Sequence, residues 1–191
     1  MMIFEFFENL DKYILLLING LNTPLLDKIM KFISSSWFWI APIVFFIILG
    51  IKFFKKKFWI PIVFALICFA LTDFGSNITK NKIVKRYRPT HNLEICEKIH
   101  IVDNYRGGLY GFFSGHAANS FGLALISLLF IRKKYYTVII LFWAIIVSFS
   151  RIYLGVHYPF DVFCGMLYGC LIAIVLNYIY KYLKFKNKIV N

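Results

Sequence analysis

The 191-residue sequence is 60% hydrophobic and 20% aromatic, with a mean hydropathy of +0.71. Soluble domains average roughly half apolar residues, glycine included, so this composition excludes an ordinary soluble protein and predicts a single polytopic membrane domain over residues 1–191. The formal net charge is +13, but the basic residues cluster in short runs between apolar stretches. This distribution is typical of cytoplasmic loops and argues against a nucleic-acid partner.

The N-terminal part of the chain is amphipathic rather than uniformly apolar. Residues 3–35 alternate apolar and charged positions and are interrupted by N-G-L-N-T-P at 19–24. We interpret residues 1–35 as two short amphipathic helices at the membrane interface. A sixth membrane crossing by residues 9–35 is the alternative.

Five apolar runs follow, at residues 37–54, 58–79, 111–131, 135–150 and 159–180. A membrane crossing needs about 20 apolar residues, so each run is a candidate span. Residues 90–115 form a polar, extracytoplasmic loop with a possible short helix near 93–102. The sequence therefore predicts an all-α fold, a polytopic transmembrane helical bundle of about five spans with N-terminal interfacial helices. Residues 36–184 are expected to form its helical core.

The positions of the basic runs predict an orientation. The runs at 52–57, 132–134 and 181–188 are expected in the cytoplasm. With five spans, residues 80–116 and 150–161 then share the outer face. This order of crossings brings five polar residues to one side of the bilayer: Arg88, His116, Arg151, His157 and Asp161.

Residues 150–161, S-R-I-Y-L-G-V-H-Y-P-F-D, carry the strongest chemical signal. His157 and Asp161 are four residues apart, and Pro159 suits a first helical turn, so the carboxylate can reach one imidazole nitrogen. That contact would fix the tautomer and leave the other nitrogen free to attack an electrophile. The alternative is that Asp161 only caps the helix that starts near Pro159.

Residues 114–116, S-G-H, precede small residues that let a helix begin. Free backbone N–H groups at a helix N-terminus bind phosphate, the Ser114 hydroxyl adds a donor, and His116 could protonate a leaving oxygen. A serine that only caps a helix beside an interfacial histidine is the alternative.

The cations suit phosphoryl transfer without a metal ion. Helical spacing puts Lys80 and Arg88 on one polar stripe of the second span and Lys82 opposite. Lys80, Arg88 and Arg151 could neutralise phosphate oxygens. The four histidines and the outer carboxylates show no metal-ligand spacing such as H-E-x-x-H, so neither a metal nor another cofactor is expected.

Three motifs resemble the signatures of the type 2 phosphatidic acid phosphatase family, which is related to vanadium haloperoxidases. They are R-P at 88–89, S-G-H at 114–116 and S-R-x5-H-x3-D at 150–161, and the resemblance covers residues 35–180. It implies that His157 forms a phosphohistidine, that Asp161 orients it and that His116 is the acid for the leaving group. It also implies four phosphate-binding residues: Arg88, Ser114, Gly115 and Arg151.

Two positions depart from the family pattern. The family has Lys-x6-Arg-Pro, whereas Asn81 stands seven residues before Arg88, between Lys80 and Lys82. A one-residue bulge in the helix would bring Lys80 to the site. Phe113 stands where the family usually has proline, so the entry to the S-G-H loop is expected to be less rigid.

The resemblance implies metal-independent hydrolysis of a membrane lipid phosphate monoester or diphosphate, at the extracytoplasmic face of the inner membrane. The sequence leaves the lipid and the oligomeric state open. Undecaprenyl diphosphate, phosphatidate, phosphatidylglycerol phosphate and the phosphates of lipid A all fit the cationic site. The alternatives are a lipid carrier or transporter, a vanadate-dependent peroxidase and a purely structural membrane protein.

Overall fold

A computed structural model describes the backbone of residues 2–190 and the side chains of residues 5–186. Over this range the chain is mainly helical, and its β pairing is limited to one isolated bridge between Tyr87 and Tyr110. The α-helices of the described range are α1 Met2–Asn19, α2 Pro24–Ile33, α3 Trp37–Phe54, α4 Trp59–Ile78, α5 Gly115–Phe130, α6 Lys134–Tyr153 and α7 Pro159–Val190.

Within the described residues, four helices are long and apolar enough to cross a membrane: α3, α4, α6 and α7. The fifth apolar helix, α5, has 16 residues and is therefore only about 24 Å long. It lies at the centre of the bundle, where it packs against α4, α6 and α7. The predicted all-α membrane bundle is confirmed.

The helix predicted from residue 111 begins only at Gly115. Residues 111–114 instead close the loop before α5, because the Gly111 N–H donates to the carbonyl of Arg86 at 2.9 Å and the Ser114 N–H donates to that of Asp161 at 2.9 Å. Near residues 93–102, where a short helix was considered, the structure has two 3₁₀ turns, Cys96–Lys98 and Val102–Asn104. The loop is thus organised by contacts to the bundle rather than by helical repeats.

The contact between α5 and α7 depends on small residues. A methyl group added at Gly169 would lie 2.2 Å from the Ala118 carbonyl oxygen, and one added at Gly165 would lie 2.4 Å from that of Ser114. Small residues let membrane helices approach to backbone contact. The N-terminal ends of α5 and α7 are therefore held side by side.

Two helices were predicted in this part of the chain, and two are present: α1 and α2, joined by a turn, form the N-terminal hairpin. Thr23 caps α2 by accepting a hydrogen bond from the Leu26 N–H at 3.2 Å, and Pro24 occupies the first helical turn. Because the chain turns between Asn19 and Thr23 and α2 has only 10 residues, residues 9–35 are not one continuous spanning helix. The location of the hairpin at the membrane interface stays a prediction.

The basic runs and the loop before α5 lie at opposite ends of the bundle. Phe130 packs against Phe54 and Tyr180, with ring centroids 5.9 and 4.9 Å apart. The basic runs that follow α3, precede α6 and end α7 therefore share one end. The loop before α5 and the turn between α6 and α7 lie at the opposite end.

Candidate active site

The turn between α6 and α7 holds the most deeply buried polar residues of the site. Gly155 adopts a φ of +66°, which a side chain would disfavour. The N–H groups of Val156 and His157 donate to the Arg151 carbonyl at 3.2 and 3.3 Å. Arg151, His157 and Asp161 are 2%, 1% and 0% exposed. The turn thus fixes the positions of all three residues. Arg151 lies inside α6, because this helix ends at Tyr153, three residues beyond the predicted end at 150.

Asp161 contacts His157 and also caps α7. Its Oδ2 lies 3.6 Å from His157 Nδ1, a distance longer than a hydrogen bond. The same oxygen accepts the Tyr158 N–H at 3.0 Å, so orientation of the imidazole and capping of the helix are not exclusive. Gly111 makes room here, since an added methyl group would lie 3.2 Å from Oδ2 and 3.5 Å from Nδ1.

Arg88 lies against the other nitrogen of His157. Its Nη1 is 3.2 Å from His157 Nε2 and donates to the Val156 carbonyl at 3.1 Å, while its Nε donates to the Tyr110 carbonyl at 3.1 Å. Burial, and then the charge of Arg151, lowers the pKa of Arg88 to about 10. The guanidinium therefore stays charged at neutral pH and is aimed at the imidazole nitrogen that faces away from Asp161.

Arg151 and His116 meet at the end of α2. Arg151 donates to the Ser34 hydroxyl and, at 3.0 Å, to the Tyr105 hydroxyl, and its Nε has no partner among the described residues. His116 Nε2 lies 3.3 Å from the Ser34 carbonyl oxygen, and its ring packs edge-on against Trp39. Burial alone would raise the pKa of Tyr105, but the Arg151 charge lowers it.

The N-terminus of α5 faces the same site. The Ser114 hydroxyl caps the helix by accepting the Ala117 N–H at 3.4 Å, which is the alternative role considered for it. A methyl group added at Gly115 would lie 2.7 Å from Ser76 Oγ and 3.4 Å from Lys80 Nζ. The lysine amine thus reaches the start of α5, where backbone N–H groups are free to bind an anion.

The helix bulge considered for Lys80 is present as a π-helical turn, Thr79–Ile83. A π-helical turn inserts one extra residue into a helix. Lys80 is half-buried and reaches Gly115, whereas Lys82 is exposed. The carboxylate of Asp73 accepts a hydrogen bond from Asn77 at 2.9 Å. The geometry therefore favours Lys80 as the counterpart of the signature lysine.

The electrostatics of the site favour a neutral imidazole. Burial, followed by the charges of Arg88, Arg151 and Lys80, holds the pKa of His157 well below its usual range. The positive charges of Arg88 and Arg151 also act on His116, and so would a charge on His157. Among the described residues, no group of three or more His, Cys, Asp or Glu side chains is placed to hold a metal ion.

Sequence reasoning missed two charged residues of the site. Arg86 was not among the predicted site residues, but it donates to Asp161 Oδ1 at 2.7 Å and to Asp11 Oδ2 at 2.7 Å. One available signal was its spacing, because alternate residues of an extended segment point the same way and Arg86 stands two before Arg88. The other available signal was Asp11, whose carboxylate lies on the same face of α1 as the buried residues Leu15 and Asn19.

The comparisons with known proteins point to one family. The sequence model of the PAP2 superfamily matches residues 61–185. A lipid A 4'-phosphatase of Bacteroides thetaiotaomicron is 34% identical over 167 residues, which are 86% of this chain and 74% of the relative. A lipid A 4'-phosphatase of Porphyromonas gingivalis is 33% identical over 181 residues, 93% of this chain and 76% of the relative.

A solved structure shares the fold. The PAP2-type phosphatidylglycerolphosphate phosphatase from Bacillus subtilis superposes with a TM-score of 0.71 and covers 92% of this chain and 86% of its own. Its sequence identity is 23%, so this likeness concerns the fold alone. The helical bundle and its membrane-spanning helices are thus common to both proteins.

Proposed function

The chain belongs to the PAP2 superfamily and is a membrane lipid phosphatase, and from this premise we propose that it cleaves a lipid phosphate monoester through a phosphohistidine. Two relatives that share a third of its residues are lipid A 4'-phosphatases, so a lipid A-type phosphate is the preferred substrate. The reaction is proposed to need no metal and to occur at the extracytoplasmic membrane face. The observation that carries the proposal is the position of His157 between Asp161 and Arg88.

Binding places the substrate phosphate among fixed cations. Arg88, Arg151 and Lys80 supply positive charge, and the N-terminus of α5 at Ser114 and Gly115 supplies backbone N–H donors. In the free enzyme, Arg88 Nη1 contacts His157 Nε2. When the phosphate enters, that donor turns to a phosphate oxygen and Nε2 becomes free. The cations then neutralise the charge that a metal ion would otherwise balance.

Phosphoryl transfer to the enzyme is the first chemical step. The lone pair of His157 Nε2 forms a bond to phosphorus while the bond between phosphorus and the lipid oxygen breaks. The bound phosphate offsets the charges of Arg88 and Arg151, so that His116 is protonated in the complex. It gives its proton to that oxygen, and the lipid leaves as an alcohol. Asp161, next to Nδ1, stabilises the positive charge that develops on the His157 ring.

Hydrolysis of the phosphohistidine is the second step. His116, now neutral, takes a proton from a water molecule as the water oxygen bonds to phosphorus. The phosphorus–nitrogen bond breaks, its electron pair returns to Nε2, and inorganic phosphate leaves. Both histidines regain their starting states, so the cycle consumes one water for each phosphate released.

The test is phosphate release by detergent-purified protein in excess chelator, with a lipid A-type phosphate, phosphatidate, phosphatidylglycerol phosphate and undecaprenyl diphosphate as substrates. We expect hydrolysis without added metal, inhibition by vanadate, and loss of activity by at least about 10³-fold in His157→Ala. His91→Ala is the matched control, because His91 lies in the loop and contacts Thr90; it should retain wild-type activity.

Trapping the intermediate tests the covalent step. Brief reaction with a ³²P-labelled substrate, followed by alkaline quenching, should leave label on the protein, at His157, and none on His157→Ala. Activity that disappears in chelator and returns with magnesium would contradict the metal-independent mechanism. Binding of the lipid without turnover would indicate a carrier instead of an enzyme.

A further inference from the structure

Arg86 connects the proposed catalytic carboxylate to the N-terminal helix. Its Nη1 donates to Asp161 Oδ1 and its Nη2 donates to Asp11 Oδ2, each at 2.7 Å. The guanidinium also stacks on the Tyr158 ring, 3.9 Å from the centroid. A planar fork with two donors can hold two carboxylates at fixed angles, which a lysine amine cannot.

Asp11 is buried although it lies in an amphipathic helix. It is 6% exposed, and its second oxygen accepts the N–H of Phe160, at the start of α7, at 2.8 Å. Asp11 therefore contacts both Arg86 and the backbone beside Asp161. A buried carboxylate with both oxygens occupied has a specific partner set, unlike a solvated charge on a helix surface.

The two oxygens of Asp161 are divided between two tasks. Oδ1 faces Arg86, while Oδ2 accepts the Tyr158 N–H and lies beside His157 Nδ1. Arg86 thus prevents the carboxylate from rotating about its axis and keeps Oδ2 next to the imidazole. The guanidinium of Arg86 donates hydrogen bonds to Asp161 and Asp11, on the Nδ1 side of His157. Arg88, by contrast, contacts His157 Nε2.

The charges around Arg86 come from three elements. Asp11 lies on α1, Asp161 is on α7, and the Tyr158 ring belongs to the turn before α7. Burial alone would lower the pKa of Arg86, but the carboxylates of Asp161 and Asp11 outweigh it and raise the pKa. Without the guanidinium, two buried carboxylates would face each other, at a high cost in free energy.

We propose that Arg86 and Asp11 are positioning residues for lipid phosphate hydrolysis, which hold Asp161 oriented and ionised behind His157. This inference rests on the proposed function, in which Asp161 supports His157. If Asp11 has this role, α1 contributes a residue that supports the catalytic residues. A carboxylate that orients a catalytic histidine affects the rate of the chemical step more than substrate binding.

The experiment measures kcat, KM and vanadate inhibition for Arg86→Gln, Arg86→Lys and Asp11→Asn. A misplacement of about 1 Å can cost about 10²-fold in rate, so we expect kcat of Arg86→Gln to fall about 100-fold. The Lys and Asn variants, which keep part of the network, should fall about tenfold. KM and the vanadate inhibition constant should stay within about threefold, because the phosphate site is untouched.

The matched control is Lys85→Gln, which removes the same charge from the adjacent, exposed position and should keep wild-type kcat. Wild-type kcat in Arg86→Gln would overturn the inference. Parallel weakening of vanadate binding would make Arg86 a phosphate ligand instead. If Arg86→Gln fails to fold, wild-type kcat in both Arg86→Lys and Asp11→Asn would overturn it.

His157→Ala separates this inference from the proposed function. An active His157→Ala variant would refute the proposed phosphohistidine mechanism itself. An inactive His157→Ala variant together with a fully active Arg86→Gln variant would refute only the role of Arg86. Loss of kcat in both, with vanadate binding retained in Arg86→Gln, supports both.

Discussion

Among single residues, His157 is defined by unequal surroundings on its two ring nitrogens. Nε2 faces the cation Arg88 at 3.2 Å, and Nδ1 faces the carboxylate Asp161 at 3.6 Å. A cation beside Nε2 favours a lone pair there, so the ring proton belongs on Nδ1. In the proposed mechanism, this asymmetry leaves Nε2 as the nitrogen that attacks phosphorus.

The two lysines flanking Asn81 give a residue-scale prediction. Replacing Lys80 by Met removes a cation near the N-terminus of α5, and one charge-assisted contact is worth about 1.5–3 kcal/mol. We therefore expect kcat/KM of Lys80→Met to fall about 10–100-fold, measured as phosphate release. Lys82→Met, at an exposed position, should stay within about twofold of wild type. The reverse order would identify Lys82 as the phosphate ligand.

The positions of His116, Arg151 and His157 relative to one another could be predicted, since alternating crossings bring the ends of successive helices together. The pairing of Arg86 with Asp11 could not be predicted, although spacing puts each residue on the appropriate face of its segment. The pairing depends on how α1 docks against the bundle, and spacing within one segment does not determine that contact. A carboxylate in an amphipathic helix is usually solvated, so burial of Asp11 becomes visible only in the folded structure.

Among helices, the α5–α7 pair determines where the catalytic groups lie. Gly165 and Gly169 allow backbone contact, and Ser114 donates its N–H to the Asp161 carbonyl at 2.9 Å across this contact. The helix boundaries predicted from hydropathy were less accurate than the helices themselves. Residues 111–114 are apolar and aromatic enough to extend a span, but their backbone N–H groups bond to the loop and to α7.

Gly169→Ala tests this contact. The added methyl group would lie 2.2 Å from the Ala118 carbonyl oxygen, so the helices must separate. Overpacking costs about 1–3 kcal/mol, and we expect a lower midpoint of thermal unfolding in detergent together with reduced phosphate release. Gly108→Ala is the control, because a methyl group there meets nothing within 4 Å. Equal midpoints for the two variants would contradict the packing argument.

Across the whole molecule, the three basic runs and the candidate active site lie at opposite ends of the bundle, and the site end carries its own cations at residues 80–88. One end carries the basic runs near Phe54, Phe130 and Tyr180, and the other carries the candidate active site. Basic loops are retained in the cytoplasm. Loops at one end of the bundle lie on the same side of the membrane. If the end with the basic runs is cytoplasmic, the opposite end, which carries the candidate active site, is extracytoplasmic, as proposed.

Labelling of single cysteines by a membrane-impermeant thiol reagent tests this orientation. In a background without the four natural cysteines, Leu93→Cys should react in intact cells, because Leu93 is 92% exposed at the site end. Lys56→Cys, in the basic run after α3, should react only after permeabilisation. Labelling in the opposite order would place the active site in the cytoplasm.

The docking of the N-terminal hairpin has a consequence for biosynthesis. Asp11 bonds to Phe160, 149 positions later, and Asn19 bonds to the carbonyl of Tyr153, 134 positions later. Because translation proceeds from the N-terminus, α1 leaves the ribosome long before these partners exist. Its contacts to the loop before α5, such as the hydrogen bond from the His100 N–H to Asn19 Oδ1, can form earlier. The contact of Asp11 with Phe160 can form only after α7 has been synthesised, so a nascent chain that stops short of α7 lacks this connection between the first helix and the last.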